Sequence, residues 1–243
     1  MILELDIGNS RIKWRYLDSL GQPSETYYAD NLDSFLQQLA NAGLFYSACR
    51  VSAVQSKQDH KEKLASLLDY HVTGTILFAE STVAVAGVRN GYSRPNELGV
   101  DRWLGVVAAY NATLDACIVI DAGTAITVDL VDQDGQHLGG LIAPGGRHLQ
   151  NILSSSTGLN APGLCEVRMP QQNTSGCLSA GVKTMLAGFV LQVCYEGRQL
   201  LGQEAQVVLT GGDAGQLSGL IAGACHVVPD LVFAGLALAC PLP

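Results

Sequence analysis

The chain has 243 residues, 48% of them hydrophobic and 15% charged, with a formal net charge of −8 and a pI near 5.0. That length suits one large domain or two of about 100–150 residues, and the apolar content argues for a buried core rather than disorder. The acidic balance weighs against a nucleic-acid partner, no apolar run reads as long enough to span a bilayer, and the N-terminus lacks a basic segment followed by an apolar core. A cytoplasmic protein with no membrane partner is expected. The seven cysteines include no close pair of the kind a zinc site uses, and they read as small core residues.

Residues 2–7 and 11–17 are predicted strands joined by a turn at Gly8-Asn9-Ser10. In the second, Ile12, Trp14 and Tyr16 alternate with Arg11, Lys13 and Arg15, the period of a half-buried strand. A turn at Gly21–Ser24 leads to a third strand through Tyr27 and Tyr28. Phe35, Leu36 and Leu39 have the spacing of a short amphipathic helix over Asp33–Ala42. A strand over Ala48–Val54, a helix over Asp59–Leu68 and a strand over Thr75–Phe78 follow. The loop Asn90-Gly91-Tyr92-Ser93-Arg94-Pro95 then precedes a long helix from Glu97 to Ala112.

The second half repeats this order. Strands are predicted at Cys117–Ile120, Ala125–Val131 and His137–Ile142, helices at Gly146–Ser154 and Thr174–Leu201, and an irregular loop over residues 157–172. A strand at Gln206–Leu209, a short helix after Asp213, a strand at His226–Val228 and a helix from Asp230 complete the chain. Three strands, helix, strand, helix, strand, helix therefore occurs twice, with one added helix after the third strand of the second half. The expectation is an α/β fold of two duplicated lobes, residues 1–114 and 115–243, with an interlobe cleft for ligands.

Each half opens on a strand ending in Asp-x-Gly: Asp6-Ile7-Gly8-Asn9-Ser10 and Asp121-Ala122-Gly123-Thr124. A carboxylate, a close turn and hydroxyl or amide donors suit a metal and a phosphate. One such turn alone also fits a hairpin with a polar tip; two at matching places are hard to attribute to turn propensity. Thr124, directly after the turn glycine, reads as functional, Thr127 reads as a strand former, and Asp129 fits either face. Leu209-Thr210-Gly211-Gly212-Asp213 is a third strand-to-glycine turn; Asp213 is fully accounted for as an N-cap, and the paired glycines also admit a flat or phosphorylated ligand. Gly139-Gly140 with Pro144-Gly145 is a fourth. Asp101 and Arg102 open the apolar helix of the first half: a solvated first turn fits them, and so does a proton acceptor beside a cation.

These turns resemble the actin, hexokinase and heat-shock ATPase superfamily of phosphotransferases, and the chain is similar over nearly its full length to type III pantothenate kinases. The specific element is Pro95-Asn96-Glu97-Leu98-Gly99-Val100-Asp101-Arg102. The resemblance implies two ribonuclease-H-like lobes, each a mixed sheet flanked by helices, and ATP-dependent phosphorylation of pantothenate to 4′-phosphopantothenate, the first step of coenzyme A synthesis. Asp101 would accept the proton of the pantothenate hydroxyl. Tyr92, Gly99, Val100, Asp101, Arg102 and Thr174 would contact pantothenate, although Thr174 also fits a helix cap. Asp6, Ile7, Gly8, Asn9, Ser10, Arg11, Ile12, Lys13 and Thr124 would contact ATP. Asp6 would lie near Mg2+, and Asp121 would hold a monovalent cation, K+ or NH4+. The family is dimeric, and Gly188-Phe189-Val190-Leu191 suits either an interface or a buried helix. The alternatives are a superfamily kinase for another small alcohol or acid, and a nucleotide-binding regulator without catalysis.

Overall fold

Alternation along the first strand decides the first sheet. In β1 (Ile2–Ile7), Leu3 and Leu5 are fully buried on one face, which directs Glu4 and Asp6 to the other. The structure, a computed structural model, describes residues 1–53, 58–158 and 169–242. The first sheet comprises β1, β2 (Ile12–Leu17), β3 (Tyr27–Ala29), β4 (Tyr46–Ala53) and β5 (Val72–Phe78), in the order β3-β2-β1-β4-β5. The β3-β2-β1 pairs are antiparallel and the β1-β4-β5 pairs parallel. Parallel neighbours need crossovers, supplied by α1 (Leu32–Ala42) and α2 (Gln58–Leu68). Asn31 caps α1 by accepting from the Ser34 N–H, and Phe35 and Leu39 face the sheet among Leu3, Leu5, Trp14, Val51 and Leu68.

Two features between Phe78 and Ala112 differ from expectation. A hairpin, β6 (Ala84–Val85) and β7 (Val88–Arg89), turns through Ala86 and Gly87 at φ +48° and +82°. A two-residue turn with both φ values positive joins strands tightly, but Ala-Gly lacks the usual Asn-Gly signature. The predicted helix from Glu97 is divided: Pro95–Glu97 forms a 3-10 turn, Leu98 is extended, and α3 (Val100–Thr113) begins after Gly99. Asp101 therefore lies in the first turn of α3, where the helix dipole favours a carboxylate.

The second sheet reproduces the first: β8 (Cys117–Ala122), β9 (Ala125–Val131), β10 (His137–Pro144), β11 (Gln206–Thr210) and β12 (Cys225–Val227) in the order β10-β9-β8-β11-β12. Strand directions match pair for pair. Its helices are α4 (Gly146–Thr157), α5 (Thr174–Leu201) and α6 (Ala214–Leu217). The core gathers Ile118, Ile120, Ile126 and Val128 of the sheet against Val182, Leu186, Val190 and Val193 of α5. Contrary to the sequence expectation, α5 is long and apolar enough, by length and composition, to cross a membrane. Single polar residues such as Lys183, Thr184 and Gln192 interrupt its apolar pattern, so no unbroken run marks it. Val190 is buried and Leu191 half exposed, so the Gly188–Leu191 run divides between core and surface.

The chain forms two compact units, Met1–Asn111 with Asp230–Pro243, and Ala112–Pro229. The division at 114–115 is one of sequence order; in the fold the last helix, α7 (Leu231–Ala239), belongs to the first unit. Phe233, Val232 and Leu236 of α7 pack with Leu104 of α3 and with Ala79. Residues 159–168 of the predicted irregular loop and Val54 of the predicted fourth strand lie outside the described residues.

Candidate active site

In the first unit Asp6 is the fifth residue of β1, buried at 7% exposure, with Lys13 opposite on β2 and Ser52 opposite on β4. Ser52 was not apparent from sequence; its Oγ is buried and has no hydrogen-bond partner among the described residues. Gly8 closes the turn by donating its N–H to Arg11 O (3.2 Å), leaving Asn9, Ser10 and Arg11 exposed. The Arg11 guanidinium lies 5.5 Å from the centre of the Tyr28 ring. Ile7 is half-buried, and the Ile12 side chain is in the core, so in this segment Ile12 offers a ligand only its backbone.

The same unit brings the α3 residues together. Arg102 Nη1 donates to Tyr92 Oη (3.0 Å), and the guanidinium carbon lies 5.8 Å from the Tyr92 ring centre. Asp101 Oδ1 accepts the Arg102 N–H (2.8 Å), and a Cβ added at Gly99 would come within 2.7 Å of that oxygen. Gly99 thus keeps the space beside the carboxylate free of a side chain. Val100 begins the helix and packs toward the α7 cluster. A half-buried carboxylate, a cation and a phenol within one hydrogen-bonded group can orient an alcohol and take up its proton.

In the second unit Asp121 is the fifth residue of β8, as Asp6 is of β1. Thr127 on β9 and Thr210 on β11 stand opposite it. Three turns converge there. The Gly145 N–H donates to Thr124 O (3.0 Å), and a Cβ at Gly145 would press on the carbonyls of Gly123 and Thr124. Gly211, at φ +93°, lies so close that a Cβ would collide with Asp121 Oδ1 and the Ala122 carbonyl. The Asp213 N–H donates to Ala122 O (3.0 Å). Thr124 itself is exposed at the turn.

Two capping expectations resolve here. Asp213 stands at the N-cap of α6 but makes no side-chain cap bond; burial pushes its carboxyl pKa up, and nearby Arg147 partly opposes this. Arg147, in the first turn of α4, is a further polar residue of this region, hinted at in sequence only by the preceding Pro-Gly turn. Asn173, not Thr174, caps α5, accepting the Gly176 N–H at 2.8 Å; Thr174 is the exposed first helical residue. A groove beside the Gly211-Gly212 turn is lined by Lys183, Leu186, Asp213, Gln216, Leu217 and Leu220. Asp129, buried against His137 Nε2 at 2.9 Å, lies on the Asp121 face but is engaged by that histidine.

The residues fit the implied ions. Among the described residues no three His, Cys, Asp or Glu side chains cluster as a metal site. A divalent ion near Asp6 would then be held by one carboxylate and by nucleotide phosphates, the manner typical of Mg2+. Around Asp121 the oxygens on one side are its own carboxylate and the Ala122 carbonyl, with room that only a glycine at position 211 leaves, oxygen ligands of the kind that suit K+.

A repeated five-stranded mixed sheet, each copy delivering an Asp-x-Gly turn, defines the phosphotransferase class of the actin and hexokinase superfamily. Residues 2–196 match the family description of type III pantothenate kinase, and the chain belongs to that family. A type III pantothenate kinase of Pseudomonas aeruginosa is 41% identical over 249 residues, covering all of both chains. A crystal structure of a Campylobacter jejuni protein described as a Baf-family transcriptional activator is 25% identical, with a TM-score of 0.62 over 96% of this chain and 94% of that one. The Clostridium difficile activator of 2-hydroxyisocaproyl-CoA dehydratase, solved with bound ADPNP, is alike in fold alone: 14% identity and a TM-score of 0.50 over 98% and 92% of the chains.

Proposed function

We propose that this chain transfers the γ-phosphoryl group of ATP to the hydroxyl of pantothenate, giving 4′-phosphopantothenate at the entry to coenzyme A synthesis. The observation that carries the reading is the Tyr92–Arg102–Asp101 group at the start of α3, beside a glycine that leaves its carboxylate accessible, in a chain of this family. The hydroxyl oxygen attacks the γ-phosphorus, the bond to the ADP oxygen breaks, and Asp101 accepts the hydroxyl proton. Arg102 pairs with the pantothenate carboxylate or with charge on the phosphoryl group, and Tyr92 orients that guanidinium. Thr174 is the remaining substrate contact.

Asp6 to Lys13 and Thr124 receive the ATP phosphates, with Arg147 at the first turn of α4 as an added cation. Asp6 would hold Mg2+ and Asp121 would hold K+ or NH4+; bound there, the ions would supply positive charge to offset that of the phosphates. Exposed apolar side chains on β10, α4 and α5, among them Leu141, Ile142, Ile152, Leu153, Met185 and Tyr195, support a homodimer. The enzyme is read as cytoplasmic, consistent with the six described cysteines all being free thiols.

The test is product formation by the purified chain with ATP, pantothenate, Mg2+ and K+. Asp101→Asn is expected to keep ATP binding and to lower turnover by about 10²–10⁴-fold; near-normal turnover would remove Asp101 from the base role. Replacing K+ by Na+ should slow the reaction, and equal rates would overturn the assignment at Asp121. Turnover with a different alcohol only would select the superfamily-kinase alternative. ATP binding with no turnover on any alcohol would select the regulator, the class to which the Campylobacter jejuni description points.

A further inference from the structure

Tyr92 and Arg102 can orient a substrate only if the exposed loop between Arg89 and Leu98 is itself held in place. We propose that Asn90 is the positioning residue for the alcohol substrate, its carboxamide fixing the loop that presents Tyr92 to Arg102. The inference rests on reading Tyr92 and Gly99–Arg102 as the substrate-contacting group.

One side chain meets three segments. Asn90 Oδ1 accepts the Tyr92 N–H (3.0 Å), while Nδ2 donates to Thr82 O (3.2 Å) before the β6–β7 hairpin and to Pro95 O (3.3 Å) after the loop. The Asn90 backbone N–H adds a bond to Val83 O (2.9 Å). Its bond to Tyr92 alone would be an ordinary asparagine turn two residues long. The two donations are not part of such a turn; they join the strand entering the hairpin to the residue leaving the loop.

The rest of the frame is equally tied. Ser81 Oγ donates to Leu98 O (2.8 Å), closing the far end of the loop. Asn111 Nδ2 donates both to Ala86 O at the hairpin tip and to Val107 O within α3, each at 2.9 Å. Val88 of the hairpin is fully buried. The hairpin is thus anchored on α3, the helix that carries Asp101 and Arg102, and Asn90 hangs the Tyr92 loop from that anchored hairpin. Displacing a substrate-orienting group by about 1 Å can lower a rate by two orders of magnitude. The hairpin therefore has a use that its small size conceals.

Two variants separate the bridge from the turn. Asn90→Ala removes all three bonds; Asn90→Asp keeps an acceptor for the Tyr92 N–H but sets a carboxylate against the Thr82 and Pro95 carbonyls. Both should raise KM for pantothenate about tenfold or more, with KM for ATP within about twofold of wild type. Amide hydrogen exchange of segment 91–98 should quicken in both, while that of α5 stays unchanged. An unchanged KM for pantothenate, a parallel rise in KM for ATP, or a fall in Tm alone would overturn the proposal, as would wild-type behaviour of Asn90→Asp. If the wild type phosphorylates another alcohol, the substrate assignment fails and the Asn90 effect is read on that alcohol's KM. If the wild type phosphorylates none, unchanged exchange in segment 91–98 overturns the Asn90 bridge by itself.

Discussion

The two sheets share strand order, strand directions and an aspartate at the fifth position of the central strand, yet they surround that aspartate with different chemistry. In the first, Glu4 lies two residues before Asp6 on the same face, fully buried between Arg15 Nε (2.8 Å) and Arg50 Nη1 (2.9 Å). Arg50 Nε also donates to Cys240 O (2.9 Å), and the Arg15 guanidinium lies 4.6 Å from the Phe233 ring centre. The arginines held by this buried carboxylate add to the apolar packing that fastens the last helix to the first unit. In the second sheet Val119 takes the place of Glu4, and the buried pair is the smaller Asp129–His137. Gly211 instead brings backbone against Asp121, and Gly145 packs on the Gly123-Thr124 turn that follows it. A duplicated backbone register keeps the acid in place, and the residues covering it differentiate one copy into a clamp for a helix and the other into a cradle of carbonyls.

The largest expected effect tests the clamp. Glu4→Gln leaves the buried Arg50 without its counter-charge and Arg15 with only Asp230 at 4.0 Å, and should cost about 3–5 kcal/mol in denaturant unfolding, against about 1–3 kcal/mol for Asp129→Asn. Equal losses would break the comparison.

The cradle is tested next. Gly211→Ala has a positive φ and a collision with Asp121 against it, and should cost about 1–3 kcal/mol together with the K+ dependence of the rate. The matching turn in the first unit is looser: a Cβ at Gly8 would stop 3.3 Å from Arg11 O, so Gly8→Ala should cost less than about 1 kcal/mol. Chemical denaturation and rate assays on both variants decide the point.

The smallest effect concerns Asp213. In sequence, Ala53-Val54-Gln55 stands where the second half has Gly211-Gly212-Asp213, so a carboxyl after this strand exists in one copy only. Burial raises the folded pKa of Asp213 above its unfolded value. A raised pKa means stability that is complete below the unfolded carboxyl pKa and is lost as pH rises through the folded one. Asp213→Asn should therefore raise Tm slightly at pH 7 and leave it unchanged at about pH 3, where both states are protonated. A lower Tm at pH 7 would show Asp213 to be stabilising after all.

Strands were legible either from a period of two, as in β2, or from a short apolar run ending in a glycine turn, as in β8 and β11. The α5 limits followed from an equally local pattern, whereas the Asn31 side-chain cap of α1 was seen only in the structure. The β6–β7 hairpin did not, because its turn runs through Ala86-Gly87, and α3 was expected to begin three residues early because Glu97 and Leu98 suit a helix that Pro95 and Gly99 in fact delay. Ser52 and Arg147 carried no signal of their own: one is a serine in an apolar strand, the other an arginine opening a helix. Asn90 was visible only as part of a polar loop, since its partners Thr82 and Pro95 lie on either side of a hairpin that the sequence did not announce.

By itself the sequence determined the doubled order of strands and helices, the two Asp-x-Gly turns and the Leu98-Gly99-Val100-Asp101-Arg102 element, because each is a local pattern of period, turn chemistry or spacing. Only the tertiary structure decided that the last helix belongs to the first unit, that Gly211 closes on Asp121 and Gly145 on the Gly123-Thr124 turn, and that Asn90 holds the Tyr92 loop. Those facts depend on which distant segments the burial of Glu4 between its arginines, the packing of α7 on α3 and the pairing of backbone carbonyls bring into contact, and sequence distance does not encode such contacts.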